Sequence, residues 1–480
     1  MTNNKGGISE LPGHVQIAEP CLKFHPQRSE DVHDHPLKGL QKFGPYSRAL
    51  LGNVVDPIRI GVIGPPESRG VVEGILEELE RWAAPTDRRA YLIDFSGFSS
   101  TFGVRCVVSD DATISLDEKI DAEIDSSQTP HLVLAEHLAR AINAANSART
   151  QFDLLIFYLP ERWSDCFHGG PEEEFDLHDF VKSHAASLGI PTQLLREDRV
   201  CSFTYRCSVM WRLAIAIYTK AGGIPWKLAY MEPDTLFVGL GYAVKYSKSG
   251  NPEFLTTCSQ VFDFDGTGLE FVAYETRDLK VDRESNPFLS RSDMHRVMAR
   301  CLDLYNHRHG GRPPTKVVVH KLNEFKAEEI DGCFDAFKAV PSIELVQIIR
   351  DSFWRGAHLD PPKKSNQKST PGYACRRGSC MLLGGDEALL WTQGNVPQNG
   401  RNFFKEMKGT PKPLLVKRFA GSSPLSMTCR SILSLTKMDW NNDALYDQLP
   451  VTLSFAKRLA QTLKRMPNLT AKPYAFRLFI

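Results

Sequence analysis

The sequence predicts an α/β protein built from two large domains. Short apolar segments of strand length alternate with segments whose apolar residues recur at helical spacing, which is typical of a sheet covered by helices. The chain has 480 residues, of which 42% are hydrophobic, so it can bury more than one core. We predict an N-terminal entry segment (1–55), a first domain (56–230) and a second domain (231–480).

The entry segment is turn-rich and too short to form a domain. Its first residues, Met1–Gly7, lack the apolar stretch of a signal peptide, and no later run reaches the length of about 18 apolar residues needed to cross a bilayer. The 11 cysteines are scattered without Cys-x-x-Cys spacing, so we expect reduced thiols in cores. The nearest pair, Cys375 and Cys380, is predicted to flank an exposed loop. These features predict a cytoplasmic protein without a membrane partner.

The first domain is predicted to hold a parallel sheet, because its strands alternate with helices. The predicted elements, in chain order, are strand Ile58–Pro65, helix Ser68–Trp82, strand Tyr91–Phe95, helix Leu132–Ile142 and strand Phe152–Pro160. The turn Gly61–Pro66 lacks GxGxxG spacing, and its prolines remove backbone donors that a pyrophosphate needs. A dinucleotide cofactor is therefore not expected here.

The second domain is predicted to hold a mixed sheet flanked by helices. The predicted elements are strands near 235–241, 254–264 and 269–275, a helix over 290–306, strand 315–321, helix 324–338, strands 343–349 and 414–419, and two C-terminal helices. The chain ends Ala475–Ile480, which is apolar to its last residue. Because free ends are usually polar, we expect this tail to pack on a core.

Charge is divided unevenly along the chain. Residues 301–480 contain 27 Lys and Arg against 15 Asp and Glu, a balance of 27 − 15 = +12, whereas residues 1–300 carry 31 − 42 = −11. The basic part suggests a polyanionic partner, and the alternative is a basic but merely solvated surface. A group of cations predicted to lie in or beside a loop could order on a phosphate backbone: Arg350, Arg355, Lys363, Lys364, Lys368, Arg376 and Arg377.

A second group of residues points to a single anion. His178 and Lys182 are four residues apart, so on a helix they share one face. A strand-like segment ending in Gln193 follows, and Lys220 comes before a Gly-Gly turn. Singly, each of these residues is more often a surface or strand-end residue.

The order of these residues resembles the MID domain of Argonaute proteins, which holds the 5′-phosphate of a guide strand. His178, Lys182, Gln193 and Lys220 match the family's phosphate-binding positions. A lysine common in the family is replaced by Ala216, and the resemblance suggests Arg212 or a bound divalent metal as compensation. It also implies a Mg²⁺ ion at the guide phosphate, with the carboxylate of Ile480 as a phosphate-binding group and metal ligand.

Three later segments resemble the Argonaute PIWI domain, which has an RNase H-like fold. They are Thr235–Gly241, Thr315–Asn323 and Leu449–Ala460. The family's catalytic acids would fall at Gly241, Leu322 and Lys457. Because two-metal hydrolysis of a phosphodiester needs converging carboxylates, the resemblance implies no catalytic residues and no catalytic metal. The predicted fold class is thus α/β, a Rossmann-like MID domain followed by an RNase H-like PIWI domain.

The length matches short prokaryotic Argonautes, which consist of MID and PIWI domains. The resemblance implies a small guide RNA, a single-stranded target DNA that is bound without cleavage, and defence against plasmids or phage. It further implies an effector partner with an APAZ domain, a sirtuin-like one before a TIR one.

Two other functions were weighed. An active guided nuclease would need carboxylates elsewhere, such as Asp263, Asp265, Glu270 or Glu275. Their simpler interpretation is a hairpin turn for the aspartates and solvent-facing strand positions for the glutamates. A small-molecule enzyme with a Rossmann-type site would need a nucleophile and base or a glycine fingerprint, and the sequence offers neither.

Overall fold

The structure is a computed structural model. It describes residues 13–50, 54–86, 92–170, 173–246, 252–276, 280–283, 286–360, 370–372, 374–398, 401–403, 410–441, 446–465 and 473–479.

Residues 13–228 contribute eight helices and nine strands among the described residues. The helices are α1 Pro36–Phe43, α2 Ser68–Leu79, α3 Phe98–Phe102, α4 Ile120–Ser126, α5 Pro130–Asn146, α6 Leu177–Ser187, α7 Glu197–Val200 and α8 Arg206–Lys220. The strands are β1 Gly13–Gln16, β2 Leu22–Lys23, β3 Val32–His33, β4 Ile58–Gly64, β5 Cys106–Val108, β6 Ile114–Ser115, β7 Leu154–Leu159, β8 Thr192–Arg196 and β9 Lys227–Leu228.

Most of these strands form the predicted parallel sheet. Its order is β5-β4-β7-β8, with β6 paired to β4, and every pairing is parallel. Strand β7 is buried along its whole length, as expected for a strand covered on both faces. The sheet therefore carries β8 and the helices beside it, α6 and α8, which hold the candidate phosphate-binding residues.

The predicted strand at Tyr91–Phe95 is wrong within the described residues, which begin at Leu92. Phe95 makes only an isolated antiparallel bridge with Ala83. The carbonyl of Ile93 accepts the indole N–H of Trp211, at 3.0 Å, and the thiol of Cys207, so side chains of α8 take the place of a strand partner. The predicted helix Ser68–Trp82 ends earlier, at Leu79.

The second domain adds fifteen strands and four helices among the described residues. The strands are β10 Thr235–Tyr246, β11 Pro252–Phe262, β12 Gly268–Thr276, β13 Lys280–Val281, β14 Pro287–Phe288, β15 Lys316–Lys321, β16 Ser342–Ile349, β17 His358–Asp360, β18 Thr370–Gly372, β19 Ser379–Leu382, β20 Glu387–Leu390, β21 Val396–Gln398, β22 Arg401–Phe403, β23 Leu414–Ala420 and β24 Pro473–Ala475. The helices are α9 Arg291–Arg308, α10 Ala327–Ala336, α11 Leu425–Leu435 and α12 Val451–Arg465.

A ten-stranded mixed sheet forms the centre of this domain, as predicted. Its order is β1-β19-β20-β23-β16-β15-β10-β11-β12-β24. Strands β10, β15 and β16 are parallel neighbours, and the other pairings are antiparallel. Helices α9 and α10 cover one face, and α11 and α12 cover the other. No helix in the described part of the chain combines the length and apolar character needed to cross a bilayer.

The entry segment extends this sheet instead of standing apart. Strand β1 pairs with β19 at the sheet edge, and β2 pairs with β3 and β9. Behind β1, the carboxylate of Glu19 accepts from the buried side chains of Arg377, at 3.0 Å, and Lys437. These two cations hold the pKa of Glu19 below its ordinary value, against the effect of burial.

The network at Glu19 corrects the prediction for the loop around Cys375. Arg377 is 3% exposed and also donates to the backbone of Leu433, so it is not a surface phosphate contact. Cys375 and Cys380 are buried as well. Ten of the 11 cysteines have described side chains, and all ten are free thiols; seven of them are buried as predicted, whereas Cys201 is exposed. Lys363, Lys364 and Lys368 lie outside the described residues.

The Glu19 network should matter to stability. Replacing Glu19 by Gln leaves two buried cations without their anion, and we expect the free energy of unfolding to fall by about 3 kcal/mol. Because the pKa of Glu19 is lowered, this contribution is present above its ordinary pKa and is lost as the pH falls below it. Urea unfolding at pH 7 measures the loss. The control is Glu77→Gln, whose pair with Arg81 is exposed and should contribute almost nothing. Equal stability of the two variants would contradict the account.

Candidate nucleic-acid interface

The start of helix α6 places two of the predicted phosphate-binding residues. Asp176 caps the helix, because its carboxylate accepts the backbone N–H of Asp179 at 3.0 Å. His178 lies in the first turn with about half of its side chain exposed, and Lys182 lies one turn later and is 6% exposed. The side chain of Lys182 therefore points into the protein.

The other two predicted residues come from neighbouring elements. Gln193 is the second residue of β8, and Lys220 is the last residue of α8. The ammonium group of Lys220, which is 2% exposed, donates to the side-chain oxygen of Gln193. The ammonium group of Lys182 donates to the backbone carbonyl of Phe479, at 3.3 Å. The structure thus brings Lys182, Gln193 and Lys220 together at the junction with the second domain.

The two lysines carry perturbed pKa values. Burial and, to a smaller extent, the charge of Arg458 lower the pKa of Lys182 to about 7, while Asp179 and Asp439 act against the shift. Burial also lowers the pKa of Lys220, and the charge of Lys182 adds to the effect. Desolvation by the surrounding protein lowers the pKa of His178 too. Two like charges close together in a buried site raise the free energy of the doubly protonated state, and a bound anion would relieve this cost.

Two further contacts complete this junction, and of these the sequence predicts only the burial of the C-terminal tail. The hydroxyl of Thr462 on α12 donates to the carboxylate of Asp179, at 3.0 Å, which ties α12 to α6. The C-terminal residues Tyr474, Leu478 and Phe479 pack with Ala186 in one apolar cluster, so the tail is buried as predicted up to residue 479. Both contacts join distant parts of the chain.

Two predicted residues are not part of this group. Arg212 is exposed on α8, eight residues before Lys220, which is about 12 Å along a helix axis. Ile480 lies outside the described residues, so its predicted roles as phosphate-binding group and metal ligand stay predictions.

The described residues around the lysines do not fit a Mg²⁺ ion. The oxygen atoms of Gln193 and Phe479 each accept a hydrogen bond from a lysine ammonium, which would repel a metal. One cluster nearby, Asp176, His178 and Asp179, offers three ligand atoms within 4.8 Å of one another. Its two carboxylates cap α6 and bind Thr462, so we assign them a structural role. The predicted Mg²⁺ stays a prediction.

The three positions of the missing acids meet at a different place, on the second sheet. In the parallel pair of β10 and β15, Leu240 lies beside Lys321, so Gly241 is level with Leu322. A Cβ atom built on Gly241 would lie 3.0 Å from the backbone nitrogen of Lys457 on α12. The fold therefore brings Gly241, Leu322 and Lys457 together, although none of them carries a carboxylate.

Helix α12 also fills the space that an acid at this place would need. A Cβ atom on Gly241 would lie 2.4 Å from the carbonyl oxygen of Ala456, and one on Gly239 would lie 1.9 Å from that of Thr452. Glycines two apart face the same side of a strand, and residues four apart face the same side of a helix. The helix backbone thus rests directly on the strand, and any side chain at position 241 would displace it.

The carboxylate nearest in sequence to Leu322 that is fully buried belongs to Glu329, and it is already neutralised. Both of its oxygens lie 2.6 Å from the ammonium of Lys321, and Tyr242 donates to it at 3.0 Å. Because neighbouring residues of a strand face opposite sides, Lys321 and Tyr242 lie on the face away from Leu322 and Gly241. Glu329 therefore cannot complete a metal site with these positions.

The carboxylates considered for an active nuclease are engaged elsewhere. Asp263 and Asp265 lie in the β11–β12 hairpin turn, as predicted, where Asp265 pairs with Lys227 at 2.7 Å and Asp263 lies 3.3 Å from His309. Glu270 lies 3.1 Å from Arg308. The side chain of Glu275 lies outside the described part of the chain. Since Gly241 pairs with Cys258, the hairpin is about 16 Å along the strand from it.

Comparisons with known proteins point to one group. No family model matches the sequence. The chain is 24% identical over 316 residues to the protein argonaute of Aquifex aeolicus (strain VF5), an alignment that covers 65% of this chain and 39% of that protein. The chain therefore spans about two fifths of the curated relative's length.

Solved structures show the same likeness. Clostridium butyricum Argonaute bound to a guide DNA and a 19-mer target DNA matches 97% of this chain with 54% of its own, at TM-score 0.66 and 16% identity. Aquifex aeolicus Argonaute matches 98% of this chain with 57% of its own, at TM-score 0.58 and 16% identity. These likenesses show the fold, a mixed α/β architecture that Argonaute structures share and that agrees with the predicted Rossmann-like and RNase H-like domains.

The pocket lysines predict a pH effect on stability. Lys182 has a folded pKa of about 7 and an unfolded pKa near its ordinary 10.5, so the unfolded chain binds more protons between these values. Stability of the ligand-free protein should therefore rise with pH across this window. Lys182→Met removes the titrating group, so the stability difference between variant and wild type should shrink as the pH rises from 7 to 10. Melting temperatures at several pH values measure it, and a constant difference would contradict the pKa shift.

The close approach at Gly241 predicts a second effect. We expect Gly241→Ala to destabilise the protein by about 2 kcal/mol, because the added methyl group would press on the carbonyl of Ala456. Gly74→Ala in α2 is the control, since a Cβ there meets no atom within 4 Å and alanine favours a helix. Urea unfolding compares them, and a Gly241→Ala variant as stable as wild type would show that α12 is not seated as described.

Proposed function

We propose that this chain is an Argonaute of the short prokaryotic type, which binds a 5′-phosphorylated guide RNA and a complementary single-stranded DNA without cutting it. The pocket of Lys182, Gln193 and Lys220 would hold the guide phosphate. The basic second domain would hold the duplex backbone, and base pairing would supply sequence recognition.

The observation that carries this proposal is the pair of buried lysines at the domain junction. Their lowered pKa values mean that burial costs free energy which the protein alone does not recover. A phosphate dianion would restore their protonation and accept several charge-assisted hydrogen bonds. The site is therefore better suited to a small, doubly charged anion than to a neutral ligand.

The absence of cleavage is supported by the packing of α12. Gly241, Leu322 and Lys457 supply no carboxylate, and the helix backbone occupies the space beside Gly241. A target strand would be captured and retained, because no described group can hold paired metal ions there.

A protein that binds its target without cutting it can act only if target binding changes another protein. We propose that capture of the target changes the conformation of a bound APAZ-containing effector, an NAD-degrading sirtuin-like protein before a TIR protein, in defence against plasmids or phage. For this, the duplex-bound protein must favour the active state of the effector over the inactive one.

Exchange of both lysines tests the pocket. We expect Lys182→Met with Lys220→Met to weaken binding of a 5′-phosphorylated guide at least 100-fold while leaving a 5′-hydroxyl strand almost unaffected. Because apolar side chains tolerate burial better than ammonium groups, the variant should melt no lower than wild type. Fluorescence anisotropy with both strands measures the affinities, and a chelator arm shows whether Mg²⁺ contributes.

The control for this experiment is Lys119→Met, at an exposed lysine of the first domain. It removes one positive charge and should leave both affinities unchanged. Equal losses for the two strands in the double variant would contradict the pocket assignment.

Incubation with target tests the absence of cleavage. Guide-loaded protein with complementary DNA and Mn²⁺ should return the target intact, because Gly241, Leu322 and Lys457 supply no carboxylate for the metal ions. Gel analysis of the labelled target measures this. Discrete cuts opposite the middle of the guide by wild type would overturn the proposal.

A further inference from the structure

The loop 350–357 presents two large aromatic side chains to solvent. It follows strand β16, and in it Phe353 is 100% exposed and Trp354 is 52% exposed. Single exposed apolar residues are ordinary on protein surfaces. Two consecutive exposed aromatic residues, one of them entirely exposed, are less common, because burying each aromatic side chain would be favourable.

Hydrogen bonds from its own side chains hold this loop in place. The buried hydroxyl of Ser352 donates to the carbonyl of Pro413, at 2.8 Å. The guanidinium of Arg355 donates to the carbonyls of Trp354, at 2.8 Å, and Ser352, at 3.2 Å. At Gly356 an added Cβ would lie 2.5 Å from the sulfur of Cys375, so the loop is packed tightly where it returns to the domain. The aromatic side chains are therefore displayed by an anchored loop.

The charges beside the aromatic side chains are mainly positive. Arg350 and Arg355 flank them and are both exposed. The carboxylate of Asp351 lies 3.7 Å from Arg350, at the edge of ion-pair distance, and both side chains stay accessible to solvent. Aromatic rings next to arginines are the combination that binds single-stranded nucleic acids, in which bases stack on the rings and phosphates meet the cations.

The position of the loop links it to the place of the missing acids. Strands β15 and β16 are parallel neighbours, so their carboxyl ends lie at one edge of the sheet. The side-chain amide of Gln347 near the end of β16 donates to the carbonyl of Leu322, at 3.1 Å. Phe353 is four residues beyond β16, so it lies within about 14 Å of that strand's end.

We propose that Phe353 and Trp354 form a stacking site for a base of the single-stranded target that is not paired with the guide. This rests on the proposed function, because a target must be present. The loop would hold the strand through the base face, which every base offers, so the contact would be independent of sequence. Arg350 would contact a neighbouring phosphate, and Arg355 positions the loop.

Fluorescence of 2-aminopurine tests this site, because stacking on an aromatic ring quenches it. The probe is a 5′-hydroxyl single-stranded DNA with 2-aminopurine at successive positions, added to protein alone and to protein loaded with a phosphorylated guide RNA. We expect quenching in both arms with wild type, confined to a few positions when the guide is present. In Phe353→Ala with Trp354→Ala, quenching should disappear and target affinity should fall about tenfold.

The controls separate this proposal from the previous one. Tyr230→Ala removes another exposed aromatic side chain, 70% accessible, and should quench as wild type does. The double variant should keep its preference for a 5′-phosphorylated guide over a 5′-hydroxyl strand, because neither side chain belongs to the phosphate pocket. If wild type does not prefer a 5′-phosphorylated guide to a 5′-hydroxyl strand, that result counts against the phosphate pocket. The measurement without guide still tests stacking on the loop in that case.

Two outcomes would overturn the stacking site. One is quenching and target affinity that do not change in the double variant, which would leave a protein partner as the occupant of the loop. The other is an equal loss in Tyr230→Ala, which would show a nonspecific effect of exposed aromatic side chains. The slope of the logarithm of target affinity against the logarithm of salt concentration reports the number of phosphate contacts. Arg350→Gln should reduce this slope by about one contact, and an unchanged slope would also count against the proposal.

Discussion

The close contact between helix α12 and strand β10 sets the geometry of both candidate sites. Two glycines on the strand, Gly239 and Gly241, let the helix backbone approach to a distance that no side chain would permit. With the helix seated there, Thr462 reaches Asp179 on α6 and joins the two domains. The same contact fills the place where metal-binding acids would converge. The packing of α12 on β10 therefore shapes the junction with α6 and also fills the space beside Gly241.

At the junction, the protein keeps a charge arrangement that is unfavourable by itself. Lys182 donates to the backbone carbonyl of Phe479 and Lys220 donates to the side-chain amide of Gln193, and burial lowers the pKa of both lysines. A site of this kind costs stability, and such costs are typical of functional sites because binding recovers them. The proposed function is inferred from the unfavourable burial of these two lysines, because the fold alone is compatible with several activities.

The periodicity of the sequence predicted most of the architecture, because strand and helix spacing report burial directly. It failed near Phe95, where side chains of α8 bond to the backbone carbonyl of Ile93 in place of a neighbouring strand. It also failed at Arg377, which lies in a basic segment that was expected to be an exposed loop but forms a buried ion pair with Glu19. Both errors come from partners distant in sequence. The grouping of Lys182 and Lys220 was expected from the family pattern, but their contacts with the C-terminal tail depend on how the domains meet.

Binding of the guide's 5′-phosphate should re-protonate the buried Lys182 and Lys220. Calorimetric titration at pH 8.5, repeated in buffers of different ionisation enthalpy, measures protons taken up with the guide. At this pH the phosphate is already a dianion and Lys182, with a pKa of about 7, is mostly neutral. We expect a 5′-phosphorylated guide to take up at least one proton more than a 5′-hydroxyl strand. Equal proton uptake by the two strands would contradict it.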